Sequence, residues 1–545
     1  MRHGVIVIGK TGSGKSSILN STSAAVGVET HTFSPKSLTN DEIYGSYDGQ
    51  EWKDGVLTSL MRKVNQHTEK QWIISDGPID AVWIEHLNAV LDDNRKLHIA
   101  GEVIPFPKHA NIIFEVEDLA VASPATVSRC GMVLVEPQQS TLTSIFNKWL
   151  KSLPQNIRNN QHVLNKLKEL YQEMAQPAID FVHKAGLEAS ATCASNLAQS
   201  LLRIIDSLIV GNEGRFEGLL DNLFQWAMVW SIGASLSQEG RAKFNCFLRG
   251  LATEKKTKVF PEEESVYDYE LDLVQNKWVP WAKKLEGYEI SPDTSIEEWV
   301  FPTIESTRTE FFFKTLLNNK YNVLTVGNSR SKAFNALLGS LNDGITFSSL
   351  RFSSRVYARN VQKFLEHPLE KVKCREYAPK DHKKHIYYVD DVNIAKKEVY
   401  GAVPSLEVLR EFLEHGRWYD LSNNTRKSVK NVSFLCSMDA NRGNKDAIPS
   451  RFKRHFNTFS FAPASDDTIV SVFSTAAASH FAKHNPLIQK FSRQLSESSC
   501  QMLSFAKQEF PAIEPNKHYA FNPSDIKKVF EGLVRAKPES VSSPK

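Results

Sequence analysis

The chain has 545 residues, which at roughly 150 residues per domain corresponds to three or four domains rather than one small fold. It is 41% hydrophobic and 23% charged, which excludes a disordered or collagen-like chain. Its 66 Lys and Arg against 62 Asp and Glu leave a net charge of +4, too balanced for a protein that coats nucleic acid.

The apolar run Gly4-Val-Ile-Val-Ile8 predicts a strand that leads into Gly9-Lys10-Thr11-Gly12-Ser13-Gly14-Lys15-Ser16, a full match to G-x-x-x-x-G-K-[ST]. Ser17-Ile-Leu-Asn then opens a helix. The backbone N–H groups of such a loop cradle phosphate oxygens. Lys15 would reach the β- and γ-phosphates, and the Ser16 hydroxyl would bind Mg²⁺. Residues 9–17 are therefore candidate ATP-binding residues. So few residues before the loop leave no room for a signal peptide's apolar core, and a soluble, intracellular protein is expected.

A second apolar strand, Gln71-Trp-Ile-Ile-Ser-Asp76, ends in an acid suited to helping hold Mg²⁺. Gly77 follows where hydrolysing P-loop proteins usually carry the Glu that polarises water, and only Glu115 or Glu117 could substitute from a neighbouring strand. Helical periodicity dominates from just after Pro137 to about Thr253, with Leu197, Leu201, Ile204, Ile205, Leu208 and Ile209 on one face. Residues 219–236 are the most apolar long stretch, but Asp221, Asn222, Gln225 and Gly233 mark it as a core helix, not a membrane span. The run at 255–258 (Lys-Lys-Thr-Lys) and Glu262-Glu-Glu264 read as a solvated turn. Tyr267-Asp-Tyr269 and Lys277-Trp-Val-Pro-Trp281 suggest a hairpin whose tryptophans pack over the helical region. Six widely spread cysteines without a CxxC pair read as free thiols in a reducing compartment.

An internal repeat organises the rest. A strand at 321–326 precedes Gly327-Asn-Ser-Arg-Ser-Lys-Ala-Phe334, and Gly327 follows Gly9 by 318 residues. A second acid-ending strand, His385-Ile-Tyr-Tyr-Val-Asp390, places Asp390 314 residues after Asp76, and Arg451 of Pro449-Ser-Arg451 follows Arg129 of Val127-Ser-Arg129 by 322. A helix at 304–319 precedes the second copy, and about 80 residues follow its large part against about 160 in the first, so the chain reads as a segment of something longer. The expected fold is α/β: two tandem P-loop modules, each a parallel-sheet large subdomain followed by a helical lid. The expected domains are a large subdomain with an intact loop (1–137), a helical lid with a hairpin (138–300), a second large subdomain with a degenerate loop (301–465) and a partial lid (466–545).

These residues resemble the dynein heavy chain family, at the second and third AAA+ modules of its motor ring. The resemblance spans nearly the whole chain. It rests on Trp72-Ile-Ile-Ser-Asp-Gly-Pro-Ile-Asp-Ala-Val-Trp-Ile-Glu85, Leu91-Asp-Asp-Asn94 and Ala122-Ser-Pro-Ala-Thr-Val-Ser-Arg-Cys-Gly-Met132 in the first module. In the second copy it rests on Val389-Asp-Asp-Val-Asn393, Leu409-Arg410, His415-Gly-Arg-Trp-Tyr-Asp420 and Arg451-Phe-Lys-Arg-His-Phe456. The wording at 122–126 and 389–393 is more similar to axonemal than to cytoplasmic heavy chains.

The resemblance implies that Arg129 is an arginine finger serving the site of a preceding module, and that Arg451 reaches into the site built by residues 9–16, with Arg454 as the competing candidate. A finger places fixed positive charge where charge develops on the γ-phosphate. It implies ATP and Mg²⁺ as cofactors, the remaining ring modules and other dynein subunits as partners, and microtubules reached only through other parts of the motor. It implies neither nucleic acid nor membrane binding, and a cytoplasmic, cytoskeletal place in the axoneme of a cilium or flagellum. Because Gly77 replaces the catalytic Glu, the first module is expected to hold ATP with little hydrolysis, and Gly77→Glu to raise turnover if the geometry is otherwise intact. In the second copy Ala333 and Phe334 replace Lys and Ser, and Arg330 and Lys332 replace glycines, so nucleotide is expected at the first loop alone. An ATP-dependent scaffold that is not a motor is the alternative. A GTPase would need N-K-x-D, which neither Asn444-Lys-Asp-Ala447 nor Asn276-Lys-Trp-Val279 satisfies.

Overall fold

The computed structural model describes residues 3–137, 139–255, 257, 260–285, 303–327, 331–341, 344–439, 448–461, 465–481, 490–511, 513, 516, 518, 519, 521–533 and 535. Lys256, Lys258, Arg330, the side chain of Lys332, the tetrapeptide 444–447 and the expected boundary at 300 lie outside the described residues. The chain divides into two compact units. The larger holds Met1–Tyr267, Leu271–Lys277 and Phe313–Phe461, and the smaller holds Asp268–Glu270, Trp278–Phe312 and Ala462–Lys545.

In the larger unit, strand β1 (Gly4–Ile8) runs into the loop and helix α1 (Lys15–Val26). β2 (Glu29–Phe33), β3 (Gln71–Asp76) and β4 (Ala110–Val116) follow, then the short helix α2 (Pro124–Arg129) and β5 (Cys130–Leu134). These form a parallel sheet in the order β2-β3-β4-β1-β5. The central strands β3 and β4 are buried on both faces, as near-continuous apolar runs require, while β2 and β5 at the edges are partly exposed. The helices that follow include α3 (Gln139–Ser152), α4 (Ala194–Ile209), α5 (Phe216–Ser231) and α6 (Gln238–Glu254). All six apolar residues of the predicted face on α4 are buried, and α5 takes up most of the apolar stretch as core. No helix among the described residues is long and apolar enough to cross a membrane.

The second sheet repeats the first. After α7 (Ile304–Asn318) come β6 (Asn322–Val326), α8 (Ser331–Gly339), β7 (Ile345–Arg351), β8 (Lys384–Asp390), α9 (Pro404–His415), β9 (Val432–Met438), α10 (Ser450–Lys453) and β10 (Phe456–Ser460). The order is β7-β8-β9-β6-β10, again parallel. One landmark needs correction. β1 pairs Gly4 with Cys130, and β6 pairs Asn322 with Phe456, so His455, not Arg451, occupies the position of Arg129. Helix α10 has four residues against six in α2, which puts Arg451 in the first turn and Arg129 in the last.

His385 on β8 gives a stability prediction. Its Nδ1 lies 2.7 Å from Thr346 Oγ1, its Nε2 is buried without a partner, and burial pushes its pKa down from 6.5 to about 4. The folded value lies below the unfolded one, so the unfolded chain binds the extra proton and stability falls as pH drops below about 6.5. Between pH 7 and 5 the loss should be about 2 kcal/mol at this site. Denaturant midpoints should show that slope in the wild type and a flatter one in His385→Gln; identical slopes would refute the assignment.

In the smaller unit, α11 (Asp466–Phe481), α12 (Ser492–Glu509) and α13 (Pro523–Leu533) close over Ile469, Phe473, Leu503, Ile526 and Phe530. Strands Tyr269–Asp272 and Lys277–Pro280 form the expected hairpin. Trp281 is fully buried, with its ring centroid 5.8 Å from that of Phe311. It is a packing residue, and its partner here is a ring of α7.

Candidate nucleotide site

The loop between β1 and α1 needs its glycines. Gly12 and Gly14 have φ of +85° and +96°, and a Cβ on Gly9 would lie 2.2 Å from the Val135 carbonyl oxygen. Gly14 is also the N-cap of α1 and offers no side chain, which leaves the first-turn amides without a side-chain cap. Lys15 folds back, its Nζ donating to the carbonyls of Gly9 at 2.6 Å and Lys10 at 3.3 Å. Burial lowers its pKa, against the opposing pull of Glu115 and Glu117. The Ser16 hydroxyl donates to Glu115 Oε1 at 2.6 Å, and Ser13 Oγ is buried with no partner. An orphaned hydroxyl, a lysine on loop carbonyls and uncapped amides form a donor set that fits a triphosphate.

The cavity in front of the loop measures about 100 Å³, and Thr11, Gly12, Gly14, Lys15, Ser16, Ser17 and Asp76 line it together with Glu115, Glu117, Glu414, Arg451 and Arg454. Gly9, Lys10 and Ser13 belong to the loop without lining that space. A groove of about 1490 Å³ adjoins it, bounded by Ser13, Gly14 and Ser17 on one side and by Trp149, Arg203 and Asp206 on the other. The first space matches phosphates, and the second has room for a nucleoside.

The repeat's second copy contributes cations to this first site. Arg451 Nη2 donates to Asp76 Oδ1 at 2.7 Å, and Arg454 pairs with Glu414. Arg410 Nη1 donates to Asp76 Oδ2 at 2.6 Å, and His415 Nε2 lies 3.6 Å from the same oxygen. Burial alone would raise the Asp76 pKa, but the charges of Arg410 and Arg451 hold the carboxyl well below the usual carboxylate range. Glu115 moves the other way, raised by burial and then by the Asp76 charge. It sits directly across the sheet from Asp76.

Arg129 stands apart from this cavity. Its Nε pairs with Asp92 Oδ1 at 2.5 Å, and Nη1 donates to the Ala125 carbonyl at 2.8 Å. The expectation that a Glu at position 77 would restore hydrolysis meets an obstacle. A Cβ there would lie 3.2 Å from Pro35 Cδ and 3.9 Å from Arg451 Nη1, a tight start that aims the new carboxylate at a cation.

At the position where the first copy has Ser16, the second copy has a core residue. Phe334 is buried, its ring 5.7 Å from Phe313, 5.9 Å from Tyr388 and 6.3 Å from Phe461. Asp390 accepts from the Ser437 hydroxyl, and Asp391 is bound by Arg351 Nε at 2.7 Å.

Sequence reasoning did not assign a role to Arg410, Glu407, Glu411 or Glu414. They lie at i, i+3, i+4 and i+7 along α9, and Glu407, Arg410 and Glu411 are nearly fully buried. Four charges at helical spacing read as a solvated face. The missing signal was that the opposite face is equally committed to a core, through Leu406, Leu409 and Phe412.

Comparison with known proteins agrees with this geometry. A family described as "AAA domain (dynein-related subfamily)" matches residues 4–130, "Dynein heavy chain AAA lid domain" matches 167–283, and "P-loop containing dynein motor region" matches 288–464. Dynein axonemal heavy chain 1 of Homo sapiens is 31% identical over 99% of this chain and 14% of its own length. Dynein axonemal heavy chain 3 of Homo sapiens is 31% identical over 98% of the chain and 14% of its own, and dynein axonemal heavy chain 12 of Rattus norvegicus 30% over 100% and 19%. The chain therefore spans less than a fifth of the relatives it matches. With two P-loop sheets of one topology, a lid between them and matches along its whole length, the chain belongs to the dynein heavy chain family.

Proposed function

We propose that the chain supplies the second and third AAA+ modules of a dynein motor ring, and that its first loop holds ATP·Mg²⁺ with little hydrolysis. The observation that carries this reading is the contrast between the two loops. One keeps Lys15, Ser16 and an open cradle, and the other has a buried Phe334 where Ser16 stands. Gly9, Lys10, Thr11, Gly12, Ser13, Gly14, Lys15, Ser16 and Ser17 would bind the phosphates, with Ser16 toward Mg²⁺ and Asp76 held beside it by Arg410 and Arg451. The ion would neutralise phosphate charge. Arg451 is the better finger candidate for this site, because it reaches Asp76 while Arg454 is committed to Glu414. Arg129 would serve a preceding module. The names of the matched relatives support an axonemal setting, in which microtubule-based movement would come from the whole heavy chain with its other ring modules and subunits.

The test is stoichiometry. Purified chain saturated with radiolabelled ATP·Mg²⁺ should retain one nucleotide per polypeptide after rapid desalting. Two nucleotides, or none, would overturn the reading.

A further inference from the structure

Asp76, the acid expected to help hold Mg²⁺, is already fully engaged by the second module. Arg410 on α9 donates through Nη1 to Asp76 Oδ2 at 2.6 Å, through Nη2 to Ser34 Oγ at 2.9 Å and through Nε to Glu407 Oε2 at 2.6 Å. Asp76 Oδ1 accepts from Arg451 Nη2 at 2.7 Å. Each carboxylate oxygen thus faces a guanidinium.

The two arginines differ in freedom. The Arg410 side chain is 1% exposed and pinned on three sides, whereas that of Arg451 is 17% exposed and lines the phosphate cavity. Arg451 can turn toward a ligand; Arg410 has nowhere to go. A guanidinium is permanently charged and its planar fork suits a carboxylate. Mg²⁺ demands octahedral oxygen ligands and is drawn by uncompensated negative charge. A carboxylate compensated by a fixed arginine offers it little, and the guanidinium itself repels the dication. Ser16 keeps lone pairs for a cation while its proton goes to Glu115.

We propose that Arg410 is a positioning residue that keeps Asp76 as a guanidinium-bound carboxylate, so that the first loop retains ATP with little dependence on Mg²⁺. This rests on the reading that the loop holds ATP. It makes the second module the supplier of a charge that metal-dependent P-loop sites draw from the ion. The nucleotide would then be held chiefly by the loop amides, Lys15 and Arg451.

The test is equilibrium binding of ATP to the full chain in excess Mg²⁺ and in EDTA, for the wild type, Arg410→Met, Arg410→Lys and Asp76→Asn. Wild-type Kd should rise by less than about 10-fold in EDTA. Arg410→Met frees Asp76 Oδ2 and should enlarge the EDTA-to-Mg²⁺ ratio by at least about 10-fold, while Arg410→Lys keeps it near wild type. In the Arg410→Met background, Asp76→Asn should cancel the gained dependence. A merely structural role would make Arg410→Met weaken binding equally in both media, and that result overturns the proposal. So does a wild type that loses more than about 100-fold in EDTA, a measurement that stands even if Arg410→Met fails to fold. If the wild type binds ATP in neither medium, the ATP-holding reading falls and this proposal with it. Binding that strictly needs Mg²⁺ defeats this proposal alone.

Discussion

Lys15→Ala should lower the affinity for ATP·Mg²⁺ by at least about 100-fold, close to 2.7 kcal/mol, because the phosphates lose the buried ammonium at the start of α1. The side chain is buried and its ammonium rests on the Gly9 and Lys10 carbonyls, contacts that phosphate oxygens would replace. Removing it should not cost fold stability, since burial already disfavours the charged form there. Calorimetric titration alongside thermal melting separates the two effects. A melting temperature at or above wild type with collapsed affinity is expected. Unchanged affinity would show that the ligand sits elsewhere.

Steady-state ATP turnover by the chain should lie below about 0.1 s⁻¹, because positioned acid–base help is worth roughly 10²–10⁴ in rate and typical enzymes turn over near 10 s⁻¹. Gly77 brings no carboxylate to the water. Glu115 accepts from the Ser16 hydroxyl through Oε1 at 2.6 Å, which commits it to the loop rather than to a water. Gly77→Glu should leave turnover within about 3-fold of wild type, since a side chain squeezed against Pro35 and 3.9 Å from Arg451 Nη1 ends in an ion pair rather than beside water. Phosphate release measured on both proteins decides it. Brisk turnover in the unmodified chain, abolished by Lys15→Ala, would overturn the holding role.

The parts legible in the sequence were those written by local rules. A run such as Val-Ile-Val-Ile followed by glycines dictates strand and loop, and the spacing of acid-ending strands exposed the repeat before any coordinates. Helix α4 was readable because six apolar residues share its face. What stayed hidden involves pairs more than 300 residues apart. Asp76 and Arg410 are separated by 334 positions, and nothing in either neighbourhood specifies the other. The equivalence of Arg451 with Arg129 failed for a related reason. Matching Ser-Arg dipeptides suggested it, but strand register sets the frame, and a helix two residues shorter moves the arginine to its opposite end.

The ring cluster around Phe334 would make a phosphate loop of the first copy's kind hard to build at the second position. Phe313, Tyr388 and Phe461 are spaced to receive a benzyl group, and Gly327 already lies against Phe461, where a Cβ would come within 2.8 Å of the carbonyl oxygen. Reinstating Lys at 333 and Ser at 334 would open a void among aromatic rings and place a hydroxyl in it without a partner, a cost of several kcal/mol before any phosphate arrives. Two substitutions would therefore damage the second sheet without re-arming its loop. Such a change requires the surrounding rings to shrink at the same time, so the packing acts as a ratchet.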